Sequence, residues 1–357
     1  MPDLRLVGLM LQEREERLST FASKSYETKG REIFEDLPGL RTEFQRDRDR
    51  IIHCKAFRRI KHKTQVFIAP KGDHYVTRLT HTLEVTQIAR TIARALNLNE
   101  DLTEAMALGH DIGHPPFGHI GENELGSLCA KGFRHNLQSL RIVDHLEKKG
   151  KGLNLTFEVR QGILHHSKPR GDFWGEELPP GLSLEAQILR VADAIAYLNH
   201  DLVDSFRGGL LRESDVPLDV REVLGDSHSS RIDSMITDIV ATSWGATGLV
   251  YNCVNPVISV SEPIRDAANS LREFMFQRVY MPINDGPEGI AARRIIRLLF
   301  EYFNENVELI PDDYLEQCDS TEDAAVDYIA GMTDNFAIEL SETISQGISE
   351  PLKGRLV

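Results

Sequence analysis

Apolar residues recur at helical steps along nearly the whole chain. In 79–96, Leu79, Leu83, Ile88, Ile92 and Leu96 follow one another at intervals of three to five, with Ala89 and Ala93 beside them. That spacing predicts a helix. Between 184 and 202, Leu184, Ile188, Val191, Ile195, Leu198 and Leu202 step 4-3-4-3-4. A second stripe on the same segment, Ala186, Leu189, Asp193, Ala196, Tyr197 and His200, makes both of its sides read as buried. Asp101-Leu-Thr-Glu104 before an apolar run reads as a helix start. Residues 290–303 and 323–345 also read as helices, whereas YVTRL and LVYNCV are too short to build a sheet. Glycine, proline and polar residues predict loops at 69–74, 113–121, 147–154, 168–182 and 281–289. The expected fold is all-α: an N-terminal arm over 1–45, a helical core over 46–210, and a C-terminal helical region over 211–357 packed on the core as one unit.

Composition narrows the function classes. Hydrophobic residues make up 41% of the 357 and charged residues 27%, which is ordinary for a globular chain with a sizeable core. No apolar run approaches the roughly 20 residues of a membrane helix. The N-terminus turns charged too early for a secretory signal. Cys54, Cys129, Cys253 and Cys318 are scattered, with no CxxC pair, which speaks against a disulfide framework or a thiolate zinc site and fits the cytoplasm. The net charge of −14 disfavours bulk nucleic-acid binding. One segment reverses the sign: residues 41–63 hold nine Lys/Arg against three Asp/Glu. Such a patch suits a small polyanionic ligand, and equally a solvated helix face.

The stretch 109–122, GHDIGHPPFGHIGE, packs three histidines, an aspartate and a glutamate into fourteen residues. Its own spacing fits a metal site, a proton relay or a simple corner. Three other features bear on the choice. His81 lies on the first helix with Val85, Ile88 and Ile92, at offsets of 4, 7 and 11 that keep them on one face. His110-Asp111 falls where GHP breaks the next helix. Asp193 sits on a stripe that otherwise reads as buried, where a lone carboxylate is costly unless a cation or donor meets it. Two imidazoles and two carboxylates form a mixed N/O donor set for one Mg²⁺, Mn²⁺, Fe²⁺, Ni²⁺ or Zn²⁺.

In order and spacing, His81, His110-Asp111 and Asp193 match the H…HD…D signature of the HD-domain metal phosphohydrolases. Longer strings narrow the likeness: RDRDRIIHCKAFRRIKHKTQVF, TRLTHTLEVTQIARTIA, ALGHDIGHPPFGHIGE, DAIAYLNHD and DYIAGMTD. With them the chain, from about Leu18 to about Ala337, resembles the deoxyguanosinetriphosphate triphosphohydrolases (dGTPases) and their dNTPase-like relatives.

That resemblance implies an HD-domain core and assigns roles. His81, His110, Asp111 and Asp193 would hold the metal, and His119 and Glu122 would be the catalytic pair, with His114 close by. Glu122 also reads simply as a favourable charge at a helix N-terminus. Gln65 would meet the deoxyribose 3′-OH, Arg78 and His135 the triphosphate, and Tyr197 and Asp201 the sugar. Tyr197 also reads as a core residue. Either His165 or His166 would lie near the triphosphate. Arg58, Arg59 and Lys63 receive no role from the sequence. The implied reaction takes a dNTP and water to the deoxynucleoside and tripolyphosphate. The implied partners are a dNTP substrate, a dNTP effector, weak single-stranded DNA contact, and copies of the same chain in a hexamer or tetramer. Two alternatives stand beside it. One is another HD phosphohydrolase, a nucleotidase or cyclic-nucleotide phosphodiesterase; the other is a catalytically silent dNTP sensor. Neither base preference nor any role for residues 203–260 is legible in the sequence.

Overall fold

The computed structural model describes residues 5–36, 39–68, 74–167 and 178–352. The all-α expectation holds: among the described residues there is no strand, and one isolated bridge pairs Thr64 with Thr77. None of the described helices is long and apolar enough to cross a membrane.

The helical spacing read in the sequence materialises as Arg78–Ala95, Leu184–Arg207 and Pro287–Glu305. Differences arise where local chemistry overrides periodicity. The helix expected to open near Asp101 runs Glu100–Gly109, because the Asn99 side chain accepts the Leu102 amide and caps it. The segment expected as one helix over 323–345 is two, Thr321–Ala330 and Asp334–Ile344. Gly331 follows the first, and the Thr333 side chain caps the second by accepting from Phe336 N. The 281–289 loop is mostly helical, since Pro282 and Pro287 stand in first turns, where a missing N–H costs nothing. The 113–121 loop ends early, with a helix over Gly118–Leu128. In the loops expected at 69–74 and 168–182, residues 69–73 and 168–177 lie outside the described residues.

The chain divides into two interleaved compact units. The first comprises residues 1–52, 82–110 and 154–275. Its centre is the Leu184–Arg207 helix, buried nearly all round and packed on Glu100–Gly109 and Phe157–His165. Close approach depends on glycine: a Cβ at Gly162 would overlap the Met106 sulfur at 1.9 Å. The N-terminal arm is pinned by two buried carboxylates. Glu185 accepts from the amides of Ser23 (2.9 Å) and Asn99 (3.2 Å), and Glu15 accepts from Ser25 N (2.8 Å) and the Asn99 side chain (3.0 Å).

The second unit comprises residues 53–81, 111–153 and 276–357. Its core forms where the Pro287–Glu305 helix packs on Gly118–Leu128, Thr321–Ala330 and Asp334–Ile344. Phe117, Leu125, Ile295, Leu299 and Ile329 meet there. The segment before the Gly118–Leu128 helix is therefore held by the core itself.

Candidate metal centre

Within the second unit, Asp111 is ringed by one guanidinium and three imidazoles. Arg78 is wholly buried and donates from Nη1 to Asp111 Oδ2 at 2.7 Å. His81 Nε2 lies 3.7 Å from the same oxygen. His114 Nε2 and His135 Nε2 lie 3.4 and 3.9 Å from Oδ1. The rings of His114 and His135 stack at 3.9 Å, and His119 meets His114 edge-on at 5.0 Å.

Glu122 holds two of these histidines. Its Oε1 accepts the His135 amide at 2.8 Å and lies 2.7 Å from His135 Nδ1, while Oε2 lies 2.9 Å from His119 Nδ1. Burial alone would raise the Glu122 pKa, but His135 and His119 outweigh it and hold the carboxyl well below its ordinary range. Desolvation by its neighbours pulls the His119 pKa down, yet the Glu122 hydrogen bond and charge dominate and raise it. The His119 side chain nevertheless keeps 65% of its surface open, so it stands at the mouth of the cluster. Burial and the Arg78 charge push His114 the other way, far below an ordinary imidazole. Two neighbouring imidazoles are thus driven apart, a pattern typical of acid–base sites.

The backbone that aims these groups is strained. Phe117 is left-handed (φ 63°) although it carries a Cβ, and Gly118 follows at φ 58°. A Cβ on Gly118 would meet Arg78 Nη2 at 2.8 Å and the Gln65 carbonyl at 3.0 Å, so only glycine lets the helix start against the guanidinium. Asp334 clamps the turn. Its Oδ1 accepts from Phe117 N at 3.1 Å, and its Oδ2 accepts from Thr64 N at 2.9 Å and from the Thr64 hydroxyl. Lys63, buried and brought down to about 7 by that burial, donates to the carbonyls of His114 (2.5 Å) and Ala330 (2.7 Å). Sequence reasoning did not find this Lys63–Thr64–Asp334 clamp. The available signal was Thr333-Asp334 opening a helix after a glycine, inside the DYIAGMTD string. Replacing Asp334 with Ala leaves buried amides unsatisfied at about 1–3 kcal/mol each. We expect Asp334→Ala to lower the denaturation midpoint accordingly; an unchanged midpoint in urea would show that the clamp contributes nothing.

The first unit carries the other predicted ligands. His110 terminates the Glu100–Gly109 helix, and its Nδ1 lies 2.7 Å from the Ala107 carbonyl. A carbonyl only accepts, so Nδ1 carries the hydrogen and the lone pair sits on Nε2. That nitrogen is 3.9 Å from Asp193 Oδ1. Asp193 is only partly buried, its side chain 25% exposed on an otherwise buried helix. His166 is the inward member of the His165-His166 pair: its Nδ1 donates to Ile163 O, and its ring meets His110 edge-on at 4.9 Å. Tyr197 and Asp201 follow Asp193 at one and two turns along the helix. Burial pushes the Tyr197 hydroxyl pKa up, and Asp201 pairs with His200 at 2.8 Å. His110 and Asp111 are consecutive, so one peptide bond joins the two sets of predicted ligands.

A family model described as the HD domain matches residues 78–198, and one described as a phosphohydrolase-associated domain matches 258–343. A "deoxyguanosinetriphosphate triphosphohydrolase-like protein" of Caldanaerobacter subterraneus subsp. tengcongensis is 51% identical over 326 residues, covering 90% of each chain. One of the same description from Desulfatibacillum aliphaticivorans is 47% identical, covering 90% of this chain and 92% of its own. Among solved structures, a hypothetical protein from Aquifex aeolicus overlays with a TM-score of 0.44 at 18% identity, over 87% of this chain and 71% of that one.

Proposed function

The chain belongs to the deoxyguanosinetriphosphate triphosphohydrolase-like family of HD-domain phosphohydrolases, and from that premise we propose that it hydrolyses deoxynucleoside triphosphates to deoxynucleoside and tripolyphosphate. The observation that carries this reading is the His119–Glu122–His135 relay beside Asp111. It couples a solvent-reaching imidazole of raised pKa to a carboxylate kept ionised.

His81, His110, Asp111 and Asp193 would hold one divalent metal. The residues fit it: His110 has its lone pair on Nε2 facing Asp193, and His81 lies near an Asp111 oxygen. The donor set is compatible with Mg, Mn, Fe, Ni or Zn. When bound, such an ion polarises a phosphoryl oxygen and stabilises charge developing there. The chain's own groups do the rest. Arg78 Nε and Nη2 have no partner among the described residues, so the buried guanidinium retains donors for phosphate oxygens. Water attacks the α-phosphorus in line with the 5′-oxygen, the P–O5′ bond breaks, the water's proton leaves with the tripolyphosphate or to solvent, and His119 delivers a proton to the departing 5′-oxygen. Glu122 keeps that imidazole oriented and charged, and His135 and the neutral His114 line the phosphate side. Gln65 Oε1 likewise lacks a partner among the described residues and is free to accept the sugar 3′-OH. Tyr197 and Asp201 extend the Asp193 face toward the sugar. Nucleotide effectors, single-stranded DNA contact and assembly into a hexamer or tetramer belong to the same proposal.

The test is a product assay with all four dNTPs and GTP. We expect tripolyphosphate from at least dGTP and rejection of GTP, because a 2′-OH would have to displace a packed ring or be buried without its hydrogen bonds. Tyr197→Ala should relax the discrimination. Release of orthophosphate or a nucleoside monophosphate would replace the reading with another HD phosphohydrolase. Discrimination unchanged in Tyr197→Ala would remove Tyr197 from the sugar pocket.

A further inference from the structure

The basic segment splits into two halves that differ in kind. In the first, the arginines are neutralised: Arg46 pairs with Glu35 and Glu43, Arg48 with Asp49 and Glu104, and Arg50 with Glu35. From Lys55 onward the pairing stops. Among the described residues, no carboxylate lies within ion-pair distance of Lys55, Arg59, Lys148 or Lys149. These four cations line one cavity of about 260 Å³ in the second unit, with the carbonyl-bound Lys63 in its wall.

The remaining wall suits an oxyanion. Tyr314 and Tyr328 pack against each other at 5.4 Å, and Arg59 Nη1 lies 3.4 Å from the Tyr314 hydroxyl. Two of the lining carboxylates are engaged elsewhere: Asp327 by Arg141 and Gln138, Glu147 by the Ala56 amide. Asp313 is exposed. Lys148 and Lys149 hold consecutive left-handed conformations, φ 53° and 57°, in the turn after the π-helical stretch Ile142–Leu146. Residues with a Cβ resist that conformation, so the fold holds both lysines in an unfavourable backbone state at the cavity wall. The space also depends on Gly331, where a Cβ would meet Tyr314 Oη at 2.9 Å and Arg59 Nη1 at 3.0 Å. Gly331 itself sits at φ −73°, open to any residue, so the glycine keeps volume rather than backbone freedom.

We propose that this cavity is a binding site for a small multiply phosphorylated anion, an inorganic polyphosphate or the phosphate tail of a nucleotide. Four clustered cations without carboxylate partners, Lys55, Arg59, Lys148 and Lys149, call for several negative charges at close spacing, and a guanidinium with tyrosine hydroxyls matches phosphate oxygens. A volume of about 260 Å³ holds a small molecule, not a macromolecular surface. The site is set apart from the relay of Glu122, though its wall reaches the same loop: Lys63 holds the His114 carbonyl, and Ile112 lines the cavity next to Asp111. Occupancy would therefore bear on the segment that positions Asp111 and His114.

The inference does not depend on the proposed hydrolysis, and its test needs no turnover. Titration calorimetry of the whole protein in EDTA, at fixed ionic strength, measures binding of inorganic tripolyphosphate and, separately, of dGTP. A saturable component that depends on Arg59 is expected, beside any binding at the Arg78 and His135 cluster. Arg59→Ala should weaken it about tenfold or more, the loss expected for a charge-assisted hydrogen bond. Gly331→Val should do the same by filling the space. Circular dichroism checks that each variant is folded, and if the valine variant is not, Arg59→Ala alone decides. For the component lost in Arg59→Ala, equal affinity for tripolyphosphate and dGTP would assign the site to the phosphate chain, and tighter dGTP binding would bring the tyrosines in as base contacts. Absence of saturable binding, or binding that folded Arg59→Ala leaves unchanged, overturns the proposal.

Discussion

Asp193→Ala should lose bound metal and activity together, by about 10³-fold or more in turnover. Lewis-acid charge stabilisation is worth several kcal/mol, and each 1.36 kcal/mol is tenfold in rate. The position supports so large an effect. Asp193 stands on a helix buried nearly all round, yet its own side chain is 25% exposed and its Oδ1 faces His110 Nε2 at 3.9 Å. The Asp193 side chain is partly exposed, so truncation opens no large cavity, and the helix should stay intact with the melting temperature near wild type. Metal analysis of the purified protein by plasma mass spectrometry, alongside dGTP hydrolysis, separates the outcomes. A variant that keeps one metal per chain would strike Asp193 from the ligand set. One that loses metal but keeps its rate would show that the ion is not needed for the reaction.

His119→Ala should do the reverse: keep the metal and the fold, and lose about 10²–10⁴-fold in turnover, the usual worth of a positioned general acid. With 65% of its side chain open, His119 contributes little to packing, so stability should hardly move. The pH profile gives a sharper readout. The proton donor is active below its pKa, and activity falls as pH rises through it. Glu122 raises that pKa over the desolvation that opposes it, so the alkaline limb of kcat/KM should lie above the ordinary imidazole value of about 6.5. Glu122→Gln removes the charge and should move the limb to lower pH. If His119→Ala turns over within threefold of wild type, the donor is another group, and His114 becomes the candidate. If Glu122→Gln leaves the limb in place, His119 does not set it.

Much of this was legible before any coordinates, because helices announce themselves locally. Steps of three to five in apolar positions marked Arg78–Ala95 and Leu184–Arg207, and a carboxylate on a buried stripe singled out Asp193 as a candidate. The HD strings offered His81, His110, Asp111, His119 and Glu122 as one candidate set. The misreadings were also local: side-chain caps such as Asn99 and Thr333 decide where helices begin and end, and periodicity does not see them.

What the sequence could not determine depends on residues far apart in the chain meeting in space. That Glu122 holds His135 as well as His119 follows from the turn over 129–134, which brings the His135 amide onto its Oε1. That Asp334 clamps Thr64 and Phe117 requires 270 and 217 residues of chain to close on one carboxylate. The inward choice of His166 over His165 is set by which ring packs on His110. The basic run 41–63 reads as one patch, yet its first half is cancelled by Glu35, Glu43 and Glu104 and its second half faces a cavity. Charge is a property of the residue and can be counted along the chain. Whether it is neutralised depends on distance, and only the tertiary structure supplies that.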